Sequence, residues 1–242
     1  MTDTFLDGRV KVAQPDSGFR SGLDAVMLAA AVPAASGQTA LELGAGSGTA
    51  SLCLMARVGE IRVTGVERDE KLAALAQANA TTNATANGAN CSFFAADIFA
   101  LPKELKQDFD QVFANPPFHG VGQSSPDTAR AAALMDDGAL KDWLKLGLQR
   151  TVSGGFFTAI LRADRLNQAL VALPERGVCA FPLWPRQGEM PKRVIVQARK
   201  GSSAPFALLP GLVLHREDGS WTPEADAVLR RGNALALSGA RL

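Results

Sequence analysis

FANPPFHG, residues 113–120, ends a short apolar run with two consecutive prolines between an asparagine and a phenylalanine. Each proline fixes φ near −65° and lacks an N–H, and the residue before a proline is pushed out of the helical region. The corner is therefore rigid and has surplus hydrogen-bond acceptors. The exocyclic amino group of a base reacts poorly because its nitrogen lone pair is delocalised into the ring. If the Asn115 side-chain oxygen and the Pro116 carbonyl each accept one amino hydrogen, the nitrogen is drawn toward tetrahedral geometry and its lone pair becomes available. Phe118, after Pro117, can stack on a flat substrate, worth roughly 1–3 kcal/mol per base in single-strand binders. The competing reading is a structural cis-proline turn beside a core phenylalanine.

A second stretch with chemical potential is LELGAGSGTASL, which places Gly44, Ala45, Gly46 and Gly48 where a strand turns into a helix. In doubly wound folds ligands sit beyond the carboxyl ends of the strands, and glycines let the backbone approach them closely. A dinucleotide fingerprint needs Gly or Ala three residues after its second glycine. The two possible registers put Thr49 or Ser51 there, which disfavours an NAD site. Glu67 ends the next apolar run, 23 residues after Gly44. A carboxylate there can accept hydrogen bonds from both hydroxyls of a ribose; the alternative is a helix N-terminal acid, a role Asp69 or Glu70 can equally fill. Asp97 and Ile98 follow the third run.

Alternating strands and helices position these residues. TALEL (39–43), IRVTGVE (61–67), CSFFAA (91–96) and DQVFA (110–114) read as strands, and TASLCLMAR (49–57) and EKLAALAQANATTN (70–83) as helices. Asn87-Gly88 marks a turn before the third strand. Single helices between strands imply right-handed crossovers and a parallel sheet. LKDWLKLGLQR (140–150) predicts an amphipathic helix, Gly154-Gly155 a turn into the strand FFTAILR (156–162), and DRLNQALVALPER (164–176) a helix. VCAFPLW (178–184) and KRVIVQARK (192–200) predict an antiparallel pair, since PRQGEMP is too short for a crossover. The expectation is an α/β, Rossmann-like doubly wound sheet of seven strands, the last reversed. An edge hairpin within 206–221, turning at Asp218-Gly219, and a helix over 223–231 would close it. The chain then reads as one domain, with a cap segment over 1–36, a catalytic core over 37–200 and an appendage over 201–242.

Composition narrows the classes. With 242 residues and 47% hydrophobic content the chain can bury a sizeable core. Lys plus Arg is 25 against 24 for Asp plus Glu, so global charge offers no case for nucleic acid, while local patches can. Those patches are Arg162 with Arg165, Lys192 with Arg193, Arg199 with Lys200, and Arg230 with Arg231, joined by Arg9 and Lys11; singly, each also fits a solvated face. Cys53, Cys91 and Cys179 are widely spaced, and His119 and His215 lack metal-ligand spacing, so no metal is expected. No signal core opens the chain and the apolar run 25–35 is too short for a bilayer, giving a soluble, cytoplasmic expectation with no membrane partner. The stretch 119–138 reads as a substrate loop able to hold an extruded base.

With Glu42 ahead of the glycines, E-x-G-x-G-x-G resembles motif I of the class I S-adenosylmethionine-dependent methyltransferases. That resemblance implies S-adenosylmethionine as cofactor, held by Glu42, Gly44, Ala45, Gly46, Gly48 and Glu67, with its adenine at Asp97 and Ile98. Asn115-Pro116-Pro117-Phe118 resembles the tetrapeptide of methyltransferases acting on base amino groups and on release-factor glutamine. The implied chemistry is direct in-line transfer without a covalent enzyme intermediate. His119 follows the tetrapeptide as in some guanine-directed ribosomal RNA enzymes. QPDSGFRSGLDAVMLAA, PKRVIVQARK and LVLHREDGSWTPEADAVLR resemble bacterial tRNA methyltransferases modifying the 6-amino group of an adenine beside the anticodon of a valine tRNA. Many of those relatives carry tyrosine where Phe118 stands. This resemblance implies a tRNA partner and closure of Arg20 and Asp24 over the cofactor's methionine end; Ser21 and Asp24 also read as a capping box. A monomer or small homo-oligomer is expected. Ribosomal RNA guanine, protein glutamine and a non-catalytic RNA-binding role remain the alternatives.

Overall fold

The structure, a computed structural model, describes residues 1–16, 20–84, 90–117, 140–235 and 237. Two short strands, β1 (Thr2–Phe5) and β2 (Val10–Ala13), pair antiparallel as a separate hairpin, and α1 (Leu23–Ala31) follows. The principal sheet then begins with β3 (Thr39–Leu43), α2 (Thr49–Arg57), β4 (Arg62–Glu67), α3 (Glu70–Thr82), β5 (Cys91–Ala95) and β6 (Phe109–Ala114). It continues through α4 (140–149), β7 (Thr151–Arg162), α5 (Leu166–Ala172), β8 (Val178–Trp184) and β9 (Arg193–Arg199). Two-residue strands β10 (Ala207–Leu208) and β11 (Leu212–Val213) and helix α6 (Pro223–Leu229) complete the elements.

The strand order is β10-β8-β9-β7-β6-β3-β4-β5, with β11 also on β8. The strands β7-β6-β3-β4-β5 pair parallel with one another, and β9 runs antiparallel to both β7 and β8. The period-2 alternation of a strand divides the core. Leu41, Leu43, Val112 and Phe157 face a layer with Leu140 and Leu144 of α4. Ala40, Val63, Phe113 and Ile160 face the opposite layer with α1, α2 and α3. Covered on both faces, these strands read as continuous apolar runs.

Seven long strands with the last reversed stand as expected, but the described sheet has nine. The segment expected as one edge hairpin forms β10 and β11, both parallel to β8 and separated by Leu209, Pro210 and Gly211; the expected turn at Asp218-Gly219 is present, closed by the antiparallel His215–Trp221 bridge and the Arg216 N–H to Ser220 carbonyl bond, without a longer ladder. β7 starts at Thr151, before Gly154-Gly155. Its pairing with β6 shifts register between Phe109 and Gln111, and Gly154 at φ +79 sits within the strand as part of an irregularity. The helix expected over 164–176 shrinks to a 3-10 turn, Ala163–Arg165, followed by α5. Leu173 precedes a proline and is extended, with ψ 163, which ends the helix. The capping box does not form: Gly22 is the N-cap of α1, and the Ser21 N–H donates to the Gln14 side chain. Cys53, Cys91 and Cys179 are buried and unpaired. No described helix is long and apolar enough to cross a membrane.

Candidate active site

The carboxyl ends of β3, β4, β5 and β6 lie side by side, so the residues following them form one rim. Between β3 and α2 the glycine loop runs with positive φ at Gly44, Gly46 and Gly48. Two of these glycines answer a steric demand as well. A Cβ on Gly44 would lie 2.5 Å from the Trp143 ring of α4, and one on Gly48 would lie 2.7 Å from Phe93 of β5. The half-buried Trp143 and the buried Phe93 thus press on the loop at two places.

Side chains from three elements hold this loop. Glu67, ending β4, accepts the Gly46 N–H through Oε2 at 2.9 Å and the Asp69 N–H through Oε1 at 2.9 Å. The helix-capping role belongs to Asp69, whose carboxylate accepts the Lys71 and Leu72 N–H groups. Glu42 is 3% exposed, and its Oε2 accepts from the Ser51 N–H at 3.1 Å and the Ser51 hydroxyl at 2.5 Å. The structure therefore places this oxygen against the first turn of α2. Burial pushes the Glu42 carboxyl up to about 8, aided by the nearby charge of Glu67 and opposed by the Ser51 hydrogen bonds. Asn79 of α3 donates to the Ser47 carbonyl at 3.0 Å.

Beyond β5, the exposed Asp97 caps a 3-10 turn by accepting the Phe99 N–H at 2.9 Å, while Ile98 is buried. Phe99, 55% exposed, meets Trp143 edge-on, with ring centroids 6.5 Å apart and planes at 87°. Rings in this edge-to-face arrangement attract through their quadrupoles. An aromatic pair therefore stands between the Asp97 turn and the glycine loop.

Ala114 of β6 is in register with Leu43 of β3, so Asn115 and Gly44 leave the sheet as neighbours. The Asn115 Oδ1 is buried and accepts no hydrogen bond among the described residues. A buried acceptor left without a donor costs about 1–3 kcal/mol of desolvation. Pro116 is buried, Pro117 is exposed, and no described peptide bond is cis, which removes the cis-proline reading of this corner. Phe118, His119 and the loop expected over 119–138 lie outside the described residues, as does the Asn87-Gly88 turn.

The methyltransferase small domain family matches residues 21–141, half of the chain, spanning the glycine loop, Glu67, Asp97 and the Asn115 corner. The chain belongs to this family. A Klebsiella pneumoniae protein named tRNA1(Val) (adenine(37)-N6)-methyltransferase is 30% identical over 165 residues, 66% of this chain and 65% of that protein, so the chain spans just under two thirds of this relative. A Porphyromonas gingivalis protein of the same name is 29% identical over 238 residues, 92% of each chain. A crystal structure described as a predicted O-methyltransferase from Agrobacterium tumefaciens is similar with TM-score 0.72 and 26% identity, covering 88% of this chain and 98% of that one.

Within this member of the family the remaining expected residues divide. Arg20 pairs with Asp3 of β1 at 2.6 Å and Asp24 with Arg193 at 2.7 Å. Arg162 and Arg193 are opposite one another in the β7–β9 ladder, so they, Arg165 and Lys192 gather at the carboxyl edge that carries Asn115. Arg199 is opposite Phe156 at the other edge, with Lys200 beside it. Arg230 and Arg231 share Asp226 of α6, and the Arg9 guanidinium donates to the Arg231 carbonyl. The four basic patches are thus not on one rim. Sequence reasoning missed Trp143, Phe93 and Asn79. The signals available were a tryptophan near the start of an amphipathic helix, a phenylalanine opposite Gly65 in register, and an asparagine on the alanine face of α3.

Proposed function

We propose that this methyltransferase transfers a methyl group from S-adenosylmethionine to the 6-amino group of an adenine in tRNA, in the cytoplasm. The observation that carries the reading is the buried, unpaired Asn115 Oδ1 beside Gly44. The positive-φ glycine loop, the Glu67 carboxylate at its centre and the Phe99–Trp143 pair fit the same cofactor. When bound, S-adenosylmethionine supplies an electrophilic methyl group. Asn115 Oδ1 and the Pro116 carbonyl hold the two amino hydrogens and turn the nitrogen lone pair out of the ring. The rigid prolines fix that orientation, so positioning supplies much of the acceleration. The methylated nitrogen then sheds one proton to solvent.

A carboxamide and a carbonyl suit an amine, which attacks with its protons still in place. A hydroxyl substrate needs a base to take its proton first, and Asn115, Pro116 and Pro117 provide none. The described acceptors of the corner suit an amine substrate. The names of the two tRNA-modifying relatives support adenine and tRNA, and Arg162, Arg165, Lys192 and Arg193 stand on the site's edge, where Asp164 and Asp24 pair with Arg162 and Arg193.

The test is incubation with methyl-labelled S-adenosylmethionine and, separately, total tRNA, ribosomal RNA and release factor. Label in tRNA, recovered as N6-methyladenine, is expected; label in release factor alone overturns the RNA reading, and no label anywhere supports a non-catalytic role. Glu67→Ala is expected to weaken cofactor binding about tenfold or more in calorimetry, the scale of losing a charged hydrogen bond. Unchanged affinity would remove Glu67 from the cofactor site.

A further inference from the structure

Asn79 lies in the last turn of α3 and is 3% exposed, and its carboxamide serves groups outside the helix. Its Nδ2 donates to the Ala13 carbonyl at 2.9 Å and to the Ser47 carbonyl at 3.0 Å, while its Oδ1 accepts the Ala13 N–H at 2.8 Å. One turn later Asn83 treats Lys11 in the same way. Its Oδ1 accepts the Lys11 N–H at 2.9 Å and its Nδ2 donates to the Lys11 carbonyl at 2.6 Å. Lys11 and Ala13 are two residues apart on β2, so their backbone groups face the same side. The two amides therefore act as a surrogate strand along the edge of β2. Asn83 also donates to the Asn79 carbonyl at 2.7 Å, but of the two only Asn79 grips the glycine loop.

The connection continues beyond β2. The Gln14 carboxamide accepts the Ser21 N–H at 2.6 Å and donates to the Ser21 carbonyl at 3.0 Å and to Asp3 at 2.6 Å. Asp3 in turn pairs with Arg20. A hydrogen-bonded chain thus runs from Ser47 through Asn79, Ala13 and Gln14 to the segment that leads into α1.

We infer that Asn79 is a positioning residue coupling the docked N-terminal hairpin to the cofactor loop, so that cofactor binding and hairpin docking strengthen one another. This rests on reading the glycine loop as the S-adenosylmethionine site. Fixing the Ser47 carbonyl restricts the peptide planes of a loop that glycine leaves otherwise free. Coupling between two sites is reciprocal, so cofactor must tighten the hairpin as much as the hairpin tightens the cofactor.

Two measurements on the full chain test this. In the unaltered protein, saturating S-adenosylmethionine is expected to slow hydrogen exchange of the Lys11 and Ala13 amides about tenfold; no change overturns the inference without any variant. Asn79→Ala is expected to weaken S-adenosylmethionine binding about tenfold, on the scale of one buried hydrogen bond. Asn83→Ala, which loses the matching hairpin bonds but no loop contact, is expected to stay within about twofold. Equal losses in both variants would assign Asn79 a purely structural role. If Glu67→Ala also leaves affinity unchanged, the cofactor reading itself fails; if Glu67→Ala weakens binding and Asn79→Ala does not, only the coupling fails.

Discussion

Asn115→Ala is expected to lower turnover about a hundredfold or more, to leave S-adenosylmethionine affinity within about twofold, and to leave thermal stability equal to or above that of the parent. The size follows from what the side chain does. An acceptor aimed at a group whose charge changes during reaction acts mainly in the transition state, and removing one such preorganised partner typically costs two to three orders of magnitude. A loss of that kind appears in kcat and kcat/KM alike. The stability expectation comes from the same atom. The Oδ1 of Asn115 is buried without a donor among the described residues, so its removal relieves a desolvation cost. Such a trade between activity and stability is common where a site is held ready for a ligand. Steady-state kinetics, calorimetry and a thermal melt check the three parts. Full turnover would remove Asn115 from the chemistry, and a large fall in melting temperature would show that the carboxamide is structural.

The parallel half of the sheet was legible because its strands are covered on both faces and so read as unbroken apolar runs between helices. β3, β4, β5 and β6 stand within two residues of their expected bounds. Legibility failed where a local signal had two structural meanings. Gly154-Gly155 resembled a turn, yet inside a strand with paired neighbours on both sides glycine can absorb an irregularity instead. The sequence 164–176 has helical composition throughout, but Pro174 forces Leu173 into an extended conformation and removes the last turn. Around 206–221 the alternating apolar residues also fit one hairpin, whereas Gly211, at φ +84, lies between two short strands that both add to β8. Within the site, the residues legible in advance were those whose backbone or charge signature is local, such as the glycines and Asn115-Pro116-Pro117. Asn79 was invisible because its role depends on β2, 66 residues away in sequence. Trp143 was equally so, since its pressure on Gly44 arises only when α4 packs over the end of β3.

Glu42→Gln is expected to stabilise the fold relative to the parent increasingly as pH rises from about 4.5 to about 8. Burial lifts the Glu42 carboxyl from an ordinary 4.5 to about 8, so over that interval the folded chain keeps a proton that the unfolded chain releases. The sign follows directly: the stability associated with protonated Glu42 is complete below about pH 4.5 and is lost as pH rises through about 8, at a slope of about 1 kcal/mol per pH unit inside the window. Glutamine keeps a side-chain oxygen to accept from Ser51 and has nothing to ionise. Its denaturation midpoint should therefore change less between pH 5 and pH 9 than that of the parent, the difference amounting to a few kcal/mol at the alkaline end. Parallel stability profiles would mean that Glu42 is already ionised in the folded chain at neutral pH.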